Sequence, residues 1–400
     1  MTESLLKQEI VWIDQDEALE QAAEQWQNKS LLAVDTEFMR SRTYYPIAGL
    51  IQINDGEKNY LIDPVAITDF YPLAEVLDNA NILKILHSCS EDLEVFQHAL
   101  SCMPKGLFDT QVAGAIAGHG FSVGFGNLVN TVLGVELPKG ETRSDWLQRP
   151  LSQSQITYAA LDVEYLFTLA TKLIEQLKQQ GRLDWAMEDS AALVNNFFVN
   201  QNPDRSYLRF KSAWKLSQEQ LYVLKHLSRW REDEAQHNDV PRNRIIKDAA
   251  LFGVAQKFPT GFHQLRKFEG LTERMIRNYG DKFLSVVNDA QETAPEDLPP
   301  LQSKPPRGDE RDLMESLREM VIKIAEGLSV PQEVLMRKKD YEAIVISLRS
   351  GEIILPKSLE GWRNKIVGEP LTDFLKAHLA EAANAEQGGA SEGESGSDAG

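Results

Sequence analysis

The hydrophobic positions of residues 1–195 change their period several times along the chain. Short apolar runs such as LLAVDTEF, GLIQI and ILKILH predict buried strands, and Asp55-Gly56 ahead of NYLID predicts a hairpin turn. Longer segments with apolar residues three and four apart, above all residues 152–180, predict helices. This order of elements predicts an α/β domain whose mixed sheet is flanked by helices.

The pattern from residue 213 onward is helical, with one interruption. Ser217 and Gln220 form a capping-box signature, and apolar residues at helical spacing follow it. Five prolines between residues 292 and 310 predict a semi-rigid linker, after which the helical pattern resumes. The second half of the chain is therefore predicted to contain two all-α helical bundles.

The two helical modules resemble each other. In each, a Val-Pro pair precedes two apolar residues and a base, at an offset of ninety residues. This favours an internal duplication, although two helical hairpins of similar size could share the pattern by chance. The predicted organisation is an α/β domain (1–195), a linker (196–212), a first helical module (213–291), a proline-rich linker (292–310), a second, divergent module (311–382) and a disordered acidic tail (383–400).

Composition excludes several classes of protein. Hydrophobic residues make up 42% of the chain, and no apolar run approaches the length of about 20 residues that spans a bilayer. The N-terminal segment is acidic where a secretory signal would be basic and then apolar. Cys89 and Cys102 lack metal-ligand spacing and cannot form a disulfide framework. We therefore expect a cytoplasmic protein with no membrane partner.

The net charge of −18 hides an uneven distribution. Residues 1–200 hold 28 acidic and 13 basic side chains, whereas residues 205–282 hold 9 acidic and 16 basic ones. A basic region between acidic ones indicates a partner with negative charge, such as a nucleic acid, that binds at the first helical module.

The strand LLAVDTEF contains two carboxylates. Asp35 and Glu37 stand two apart, so they point to the same face, while Leu32 and Val34 point to the other. Two carboxylates this close repel each other unless a cation lies between them, and hard oxygen ligands suit Mg²⁺ or Mn²⁺. The alternative is an exposed strand edge with ordinary surface acids.

Two further motifs have equally plain alternatives. Asp92 begins the helix after ILKILH, where it could simply stabilise the helix N-terminus. Tyr158 and Asp162 are four apart and share a helical face, as surface residues often do. The order of the three motifs, Asp-x-Glu, then strand–Asp-helix, then Tyr-x-x-x-Asp, is more informative than any one of them.

That order resembles the DEDD superfamily of 3′→5′ exonucleases in its tyrosine branch, because Thr157 stands where the histidine branch has its histidine. The segments VDTEFMRSRTYYPIAGLIQI, HSCSEDLEVF, FDTQ, SDWLQRPLS and YAALDVEYL are similar to bacterial ribonucleases D. The helical modules are similar to the helicase-and-RNase-D C-terminal (HRDC) domain in two copies. The resemblance implies a ribonuclease H-like exonuclease domain followed by two HRDC-type domains.

The resemblance also implies a chemistry. Four acids would hold two divalent metal ions, Mg²⁺ or Mn²⁺, and a tyrosine would orient the attacking water. The residues that match the family motif are Asp35, Glu37, Asp92, Tyr158 and Asp162. The implied substrates are precursor tRNA 3′ ends and other small structured RNAs, cut to nucleoside 5′-monophosphates. No dimer signature is visible in the sequence, so a monomer is expected.

Five bases near these motifs are candidates for contacts with phosphates: Arg40, Arg42, Lys139, Arg143 and Arg149. A solvated charged loop would contain the same residue types. Two other functions remain open at this point, a DNA exonuclease of the same superfamily and a catalytically inactive RNA-binding adaptor.

Overall fold

The structure is a computed structural model that describes residues 5–138, 140–141 and 144–391. The chain forms two compact units, the first made of residues 1–113 and 123–304 and the second of residues 114–122 and 305–400. The first unit contains the α/β domain and the first helical module, and the second unit contains the second helical module.

The α/β domain is built on one six-stranded sheet. Its strands are β1 (Glu9–Ile13), β2 (Leu31–Met39), β3 (Ile47–Asn54), β4 (Lys58–Ile62), β5 (Leu83–Leu86) and β6 (Leu107–Asp109), in the order β1-β4-β3-β2-β5-β6. Strands β2, β3 and β4 are antiparallel, whereas β1 pairs parallel with β4, and β5 pairs parallel with both β2 and β6. The predicted mixed sheet is confirmed, and the antiparallel hairpin turns at Asp55-Gly56.

Helices cover both faces of this sheet. They are α1 (Asp16–Trp26), α2 (Tyr71–Asp78), α3 (Ser90–Ala99), α4 (Thr110–Ala117), α5 (Phe125–Leu133), α6 (Gln153–Gln179) and α7 (Leu183–Gln201). On one face, Leu32 and Val34 pack in a core with residues of α1, α2 and α3. On the other face, Leu50 and Leu61 pack against Ala159 of the long helix α6. Strand β2 thus lies between α6 and α3.

The pairing of β2 with β3 determines where the polar side chains of β2 point. Asp35 lies opposite Gln52 and Glu37 opposite Leu50, and the register shifts between Glu37 and Phe38. Such a bulge bends a strand and changes the direction of the side chains after it. Asp35 and Glu37 both lie before the bulge and point to one face, whereas the alternation of faces is interrupted after Glu37.

Some boundaries differ from the sequence prediction. The predicted linker 196–212 is largely helical, because α7 continues to Gln201 and a 3₁₀ helix covers Pro203–Arg209. The reason is packing, since Phe197 of α7 contacts the core beneath the sheet. Strand β1 was not predicted, although it completes the sheet edge next to β4.

The first helical module contains α8 (Gln218–His237), α9 (Arg242–Ile245), α10 (Asp248–Lys257), α11 (Phe262–Leu265) and α12 (Glu273–Glu292). The predicted capping box is present, because Ser217 and Gln220 each bond the other's backbone N–H. Leu221, Leu224 and Leu227 are fully buried in the core of this module.

The second unit contains α13 (Asp309–Leu328), α14 (Gln332–Leu335), α15 (Lys338–Ser347) and α16 (Glu369–Ser391). Helices α14 and α15 begin ninety residues after α9 and α10, and each pair has equal length. Helix α16 extends nine residues into the predicted disordered tail (383–400), and residues 392–400 lie outside the described part of the chain. None of the described helices has the length and apolar character needed to cross a membrane.

Candidate active site

Three carboxylates meet where β2 passes under α6. Asp35, Glu37 and Asp162 each offer an oxygen atom, and these oxygens all lie within 4.8 Å of one another. The first two side chains come from one face of β2, and Asp162 comes from the buried side of α6. All three are half-buried. The tertiary fold therefore brings together acids that are more than 120 residues apart in sequence.

Asp92 is bonded to the same strand but is not among the acids whose oxygens lie within 4.8 Å of one another. It lies in the first turn of α3 and is buried, with a relative exposure of 8%. The Thr36 hydroxyl, between the two acids of β2, donates to its Oδ1 at 2.5 Å. The N-terminus of α3 is bonded instead by Asp109, whose Oδ2 accepts from the Cys89 backbone N–H at 2.9 Å. The carboxylate of Asp92 thus bonds to β2, and it also accepts a hydrogen bond from its own backbone N–H in the first turn of α3.

Tyr158 completes the group one helical turn before Asp162. Its hydroxyl donates a hydrogen bond to the Asp162 carboxylate. The ring lies near buried Trp146, with centroids 6.3 Å apart. A Cβ atom built on Gly140 would stand only 2.1 Å from Cδ2 of Tyr158, so a larger residue there would displace the ring. Sequence reasoning missed Gly140, because only the fold shows which atom faces the glycine.

Burial raises the pKa values of all four carboxyl groups, and repulsion by the other acids of the group raises those of Asp35 and Glu37 further. Burial, followed by the charges of Asp162 and Asp92, raises the pKa of Glu37 to about 8. Burial raises the pKa of Asp162 to about 7 and that of Asp92 to about 6, each against a hydrogen bond that lowers it. Burial and the neighbouring carboxylates also raise the pKa of Asp35 well above its usual range.

These properties fit a site for divalent metal ions. Converging carboxylate oxygens are the ligands that Mg²⁺ and Mn²⁺ prefer. Without a cation, burial disfavours the charged forms and the acids retain protons, which also relieves the repulsion at Asp35 and Glu37. The pKa of Tyr158 is raised as well, by burial and by the charges of Asp162 and Glu37. Its phenol therefore stays protonated.

Gln52 is a further polar residue of this region that sequence reasoning missed. It lies opposite Asp35 in the β2–β3 pair, which places both side chains on the same face of the sheet. The side chain is fully buried, and neither amide atom has a hydrogen-bond partner among the described residues. Its signal in the sequence was a glutamine in the apolar run GLIQI.

Comparison with known proteins agrees with this geometry. Residues 10–178 match the family model of the 3′-5′ exonuclease, and residues 220–287 match that of the HRDC domain. The chain is 39% identical to ribonuclease D of Pseudomonas paraeruginosa over 370 residues, which cover 92% of this chain and 98% of the relative.

The chain belongs to the ribonuclease D family. It is also 34% identical to ribonuclease D of Escherichia coli, over 92% of this chain and 98% of that protein. The fold resembles the crystal structure of Escherichia coli RNase D with a TM-score of 0.84 and 32% identity, over 92% of this chain and 99% of that one. The predicted fold class is confirmed, an exonuclease domain with a mixed sheet followed by a helical HRDC region.

Membership of the ribonuclease D family makes the chain a 3′→5′ exoribonuclease. The alternative of a DNA exonuclease is therefore not supported. Exonucleases of this superfamily depend on metal ions, in agreement with the oxygen cluster of Asp35, Glu37 and Asp162.

Arg149 has a different role from the predicted contact with phosphates. Its Nε and Nη2 bond the Asp63 carboxylate, Nη2 also donates to the Gly49 carbonyl at 2.7 Å, and Nη1 donates to the carbonyls of Trp146 and Gln148. A guanidinium has five N–H donors, and all five are used here. The prediction for Arg149 is therefore not supported, and the residue instead holds the segment before α6 against β3 and β4.

Of the other four bases, the structure describes Arg40 and Arg42. Arg40 forms an ion pair with Glu94 of α3, which partly neutralises it. Arg42 is exposed and makes no ion pair with any residue that the structure describes. Lys139 and Arg143 lie outside the described residues. Contact with phosphates remains a prediction for all four.

Proposed function

We propose that the chain trims the 3′ ends of precursor tRNA and other small structured RNAs, releasing nucleoside 5′-monophosphates one at a time. The observation that supports this most strongly is the meeting of Asp35, Glu37 and Asp162 within 4.8 Å, with Asp92 joined to the same strand by Thr36. The Escherichia coli relative is described as an exoribonuclease involved in structured RNA processing, which supports the choice of substrate.

The proposed roles follow from the positions of the side chains. Asp35, centrally placed among the acids, would contact two divalent ions, Mg²⁺ or Mn²⁺, and Glu37 and Asp162 would hold one of them. Asp92, held by Thr36, would support the other. When bound, such cations make water more acidic and stabilise the negative charge that develops on a phosphate.

Tyr158 would orient the attacking water. Its phenol stays protonated and already donates to Asp162, so it can hold a water in position but is unsuited to remove a proton. A bound divalent cation would lower the pKa of the water, so no side chain has to act as a strong base at neutral pH.

Other parts of the chain would bind the RNA. The first helical module has an excess of bases over residues 205–282 and would neutralise phosphates without reading sequence. We propose that the second module (311–382) is a divergent HRDC copy, because its helices repeat those of the first at an offset of ninety residues. We also propose that the enzyme acts in the cytoplasm as a monomer.

The test is a timed digestion of a precursor tRNA that carries a 3′ trailer, with Mg²⁺ and with EDTA. Stepwise shortening from the 3′ end and 5′-monophosphate products are expected with Mg²⁺ and not with EDTA. The Asp35→Asn variant should lose about a thousandfold or more of the rate, because removing one member of such a cluster removes most of the catalysis.

The matched control is Asp184→Asn, at an exposed position in the first turn of α7. It makes the same chemical change outside the cluster and should leave the rate unchanged. Undiminished release of nucleotides by Asp35→Asn would contradict the proposed site, and equal digestion of a matched DNA oligonucleotide would contradict the proposed substrate.

A further inference from the structure

The loop between β2 and β3, residues 40–46, connects the active site to the first helical module. It continues directly from the strand that carries Asp35 and Glu37. The direction in which that strand ends therefore depends on where this loop is held. Its side chains are bound on two sides, by α3 of the exonuclease domain and by the first helical module, all within one compact unit.

The contacts with α3 join the loop to the helix of Asp92. Arg40 forms its ion pair with Glu94, two residues after that acid. The ring of Tyr45 stacks on His98, with centroids 4.1 Å apart and planes inclined by 4°. The loop thus links the two elements that carry acids of the active site, β2 and α3.

The contact with the helical module is made by Tyr44. Only 5% of this residue is exposed, and its ring packs in the core of the module. Its hydroxyl donates to Glu232 Oε2 at 3.0 Å and accepts from Gln236 Nε2 at 3.1 Å and Arg242 Nη2 at 3.0 Å. A phenol can make one donated and two accepted bonds, so this hydroxyl is fully bonded.

The surroundings of Tyr44 are themselves well fixed. Glu232 has a relative exposure of 2%, and its charge is balanced by Arg242, whose Nε lies 2.6 Å from both carboxylate oxygens. Asp239, two residues after the end of α8, accepts from the backbone N–H groups of Tyr44 and Tyr45 at 2.9 and 3.1 Å. Its backbone has a φ of +45°, a conformation that aspartate adopts more readily than most residues.

We infer that the first helical module positions the active-site acids through this loop, in addition to any affinity it has for RNA. Tyr44 and Asp239 are then positioning residues, since they hold the loop that sets the end of β2 and its distance from α3. The inference rests on the proposed site at Asp35, Glu37 and Asp92. A module that supplied affinity alone would have no need for a tyrosine of the exonuclease domain in its core.

The test separates positioning from affinity by the length of the substrate. A dinucleotide has one phosphodiester and offers almost no charge to a basic module, so its kcat reports on the active site. A long single-stranded RNA reports on both. The variants are Tyr44→Phe, which removes three hydrogen bonds and keeps the ring, and Asp239→Asn, which weakens the bonds to the loop backbone.

The expected result is a fall of kcat for the dinucleotide, about tenfold in Tyr44→Phe and smaller in Asp239→Asn, because displacing catalytic groups by a fraction of an ångström lowers the rate. The control Tyr222→Phe removes a hydroxyl from a half-buried tyrosine of the same helix α8 and should leave kcat unchanged. A normal kcat on the dinucleotide in both loop variants, with a raised KM for long RNA alone, would overturn the inference.

A second measurement does not depend on turnover. Titration of Mn²⁺ by calorimetry should show weaker binding to Tyr44→Phe than to Tyr222→Phe, because displaced acids hold a cation less well; equal affinity in the two variants would also count against positioning. Asp35→Asn is assayed in parallel. If it is inactive while the loop variants are normal, the inference alone fails, whereas an active Asp35→Asn shows that the proposed site itself is wrong.

Discussion

At the scale of single residues, the site consists of groups that are unfavourable for stability without a cation. Burial raises the pKa values of Glu37 and Asp162, and the charges of Asp162 and Asp92 add to the effect at Glu37. Thr36 partly offsets this for Asp92 by a hydrogen bond to its ionised carboxylate. Placing such acids together destabilises the metal-free fold at neutral pH in exchange for affinity for metal ions.

The first prediction concerns Glu37→Gln in the presence of EDTA. The pKa of Glu37 in the folded protein, about 8, lies above its ordinary value of 4.5, so the folded protein binds more protons between these pH values. The contribution of Glu37 to the free energy of unfolding is therefore fully present below about pH 4.5, and it is lost as the pH rises through 8. The variant should be more stable than the parent at pH 8, by about 1–3 kcal/mol, and similar at pH 5.

Urea denaturation at the two pH values measures this difference. Glu20→Gln, at an exposed position on α1, is the control and should change stability at neither pH. Saturating Mg²⁺ should reverse the order at pH 8, because the ionised carboxylate then has a cation to bind. Equal stability of Glu37→Gln and the parent at pH 8 in EDTA would contradict the assignment.

At the scale of elements, the position of α6 depends on the segment before it. Arg149 joins that segment to Gly49 of β3 and to Asp63 after β4, and a Cβ atom on Gly49 would lie 2.7 Å from Cβ of Trp146. Burial raises the pKa of Asp63, but the hydrogen bond from Arg149 and backbone N–H groups outweigh it, so the net pKa is lowered. The segment thus packs closely on the sheet beneath Tyr158.

The second prediction is that Arg149→Met destabilises the protein, by about 2–4 kcal/mol, because it leaves the buried Asp63 carboxylate without its partner. Thermal or urea unfolding measures the loss. Lys105→Met removes an exposed ion pair with Asp78 and should cost about 0–1 kcal/mol. Unchanged stability together with a raised KM for RNA would mean that Arg149 contacts phosphates after all.

At the scale of the whole molecule, the bases of the first helical module fall into two groups. Several bases of the first helical module are used within the fold, among them Arg231 and Arg242, which pair with Asp248 and Glu232. Others are exposed, such as Arg274 and Arg277 on α12. The exposed bases can neutralise phosphates, whereas the buried ones stabilise the module and hold Tyr44.

The third prediction concerns Arg274→Glu combined with Arg277→Glu. RNA binding should weaken about tenfold at moderate salt, and the slope of log affinity against log salt should become shallower by about one to two. The dinucleotide kcat should not change. Lys172→Glu with Lys178→Glu on α6 is the matched control, and an equal loss of RNA affinity in both double variants would show that the effect is one of net charge.

The sequence by itself determined the family, the strand of Asp35 and Glu37 and the long helix α6, but not helix α7. Asp35 and Glu37 could be assigned to one face because strand periodicity is a local property. The bond between Thr36 and Asp92, the use of Arg149 within the fold and the burial of Tyr44 in the helical module were decided only by the tertiary structure. Each joins residues more than fifty positions apart, and which distant groups meet depends on packing that no local pattern records.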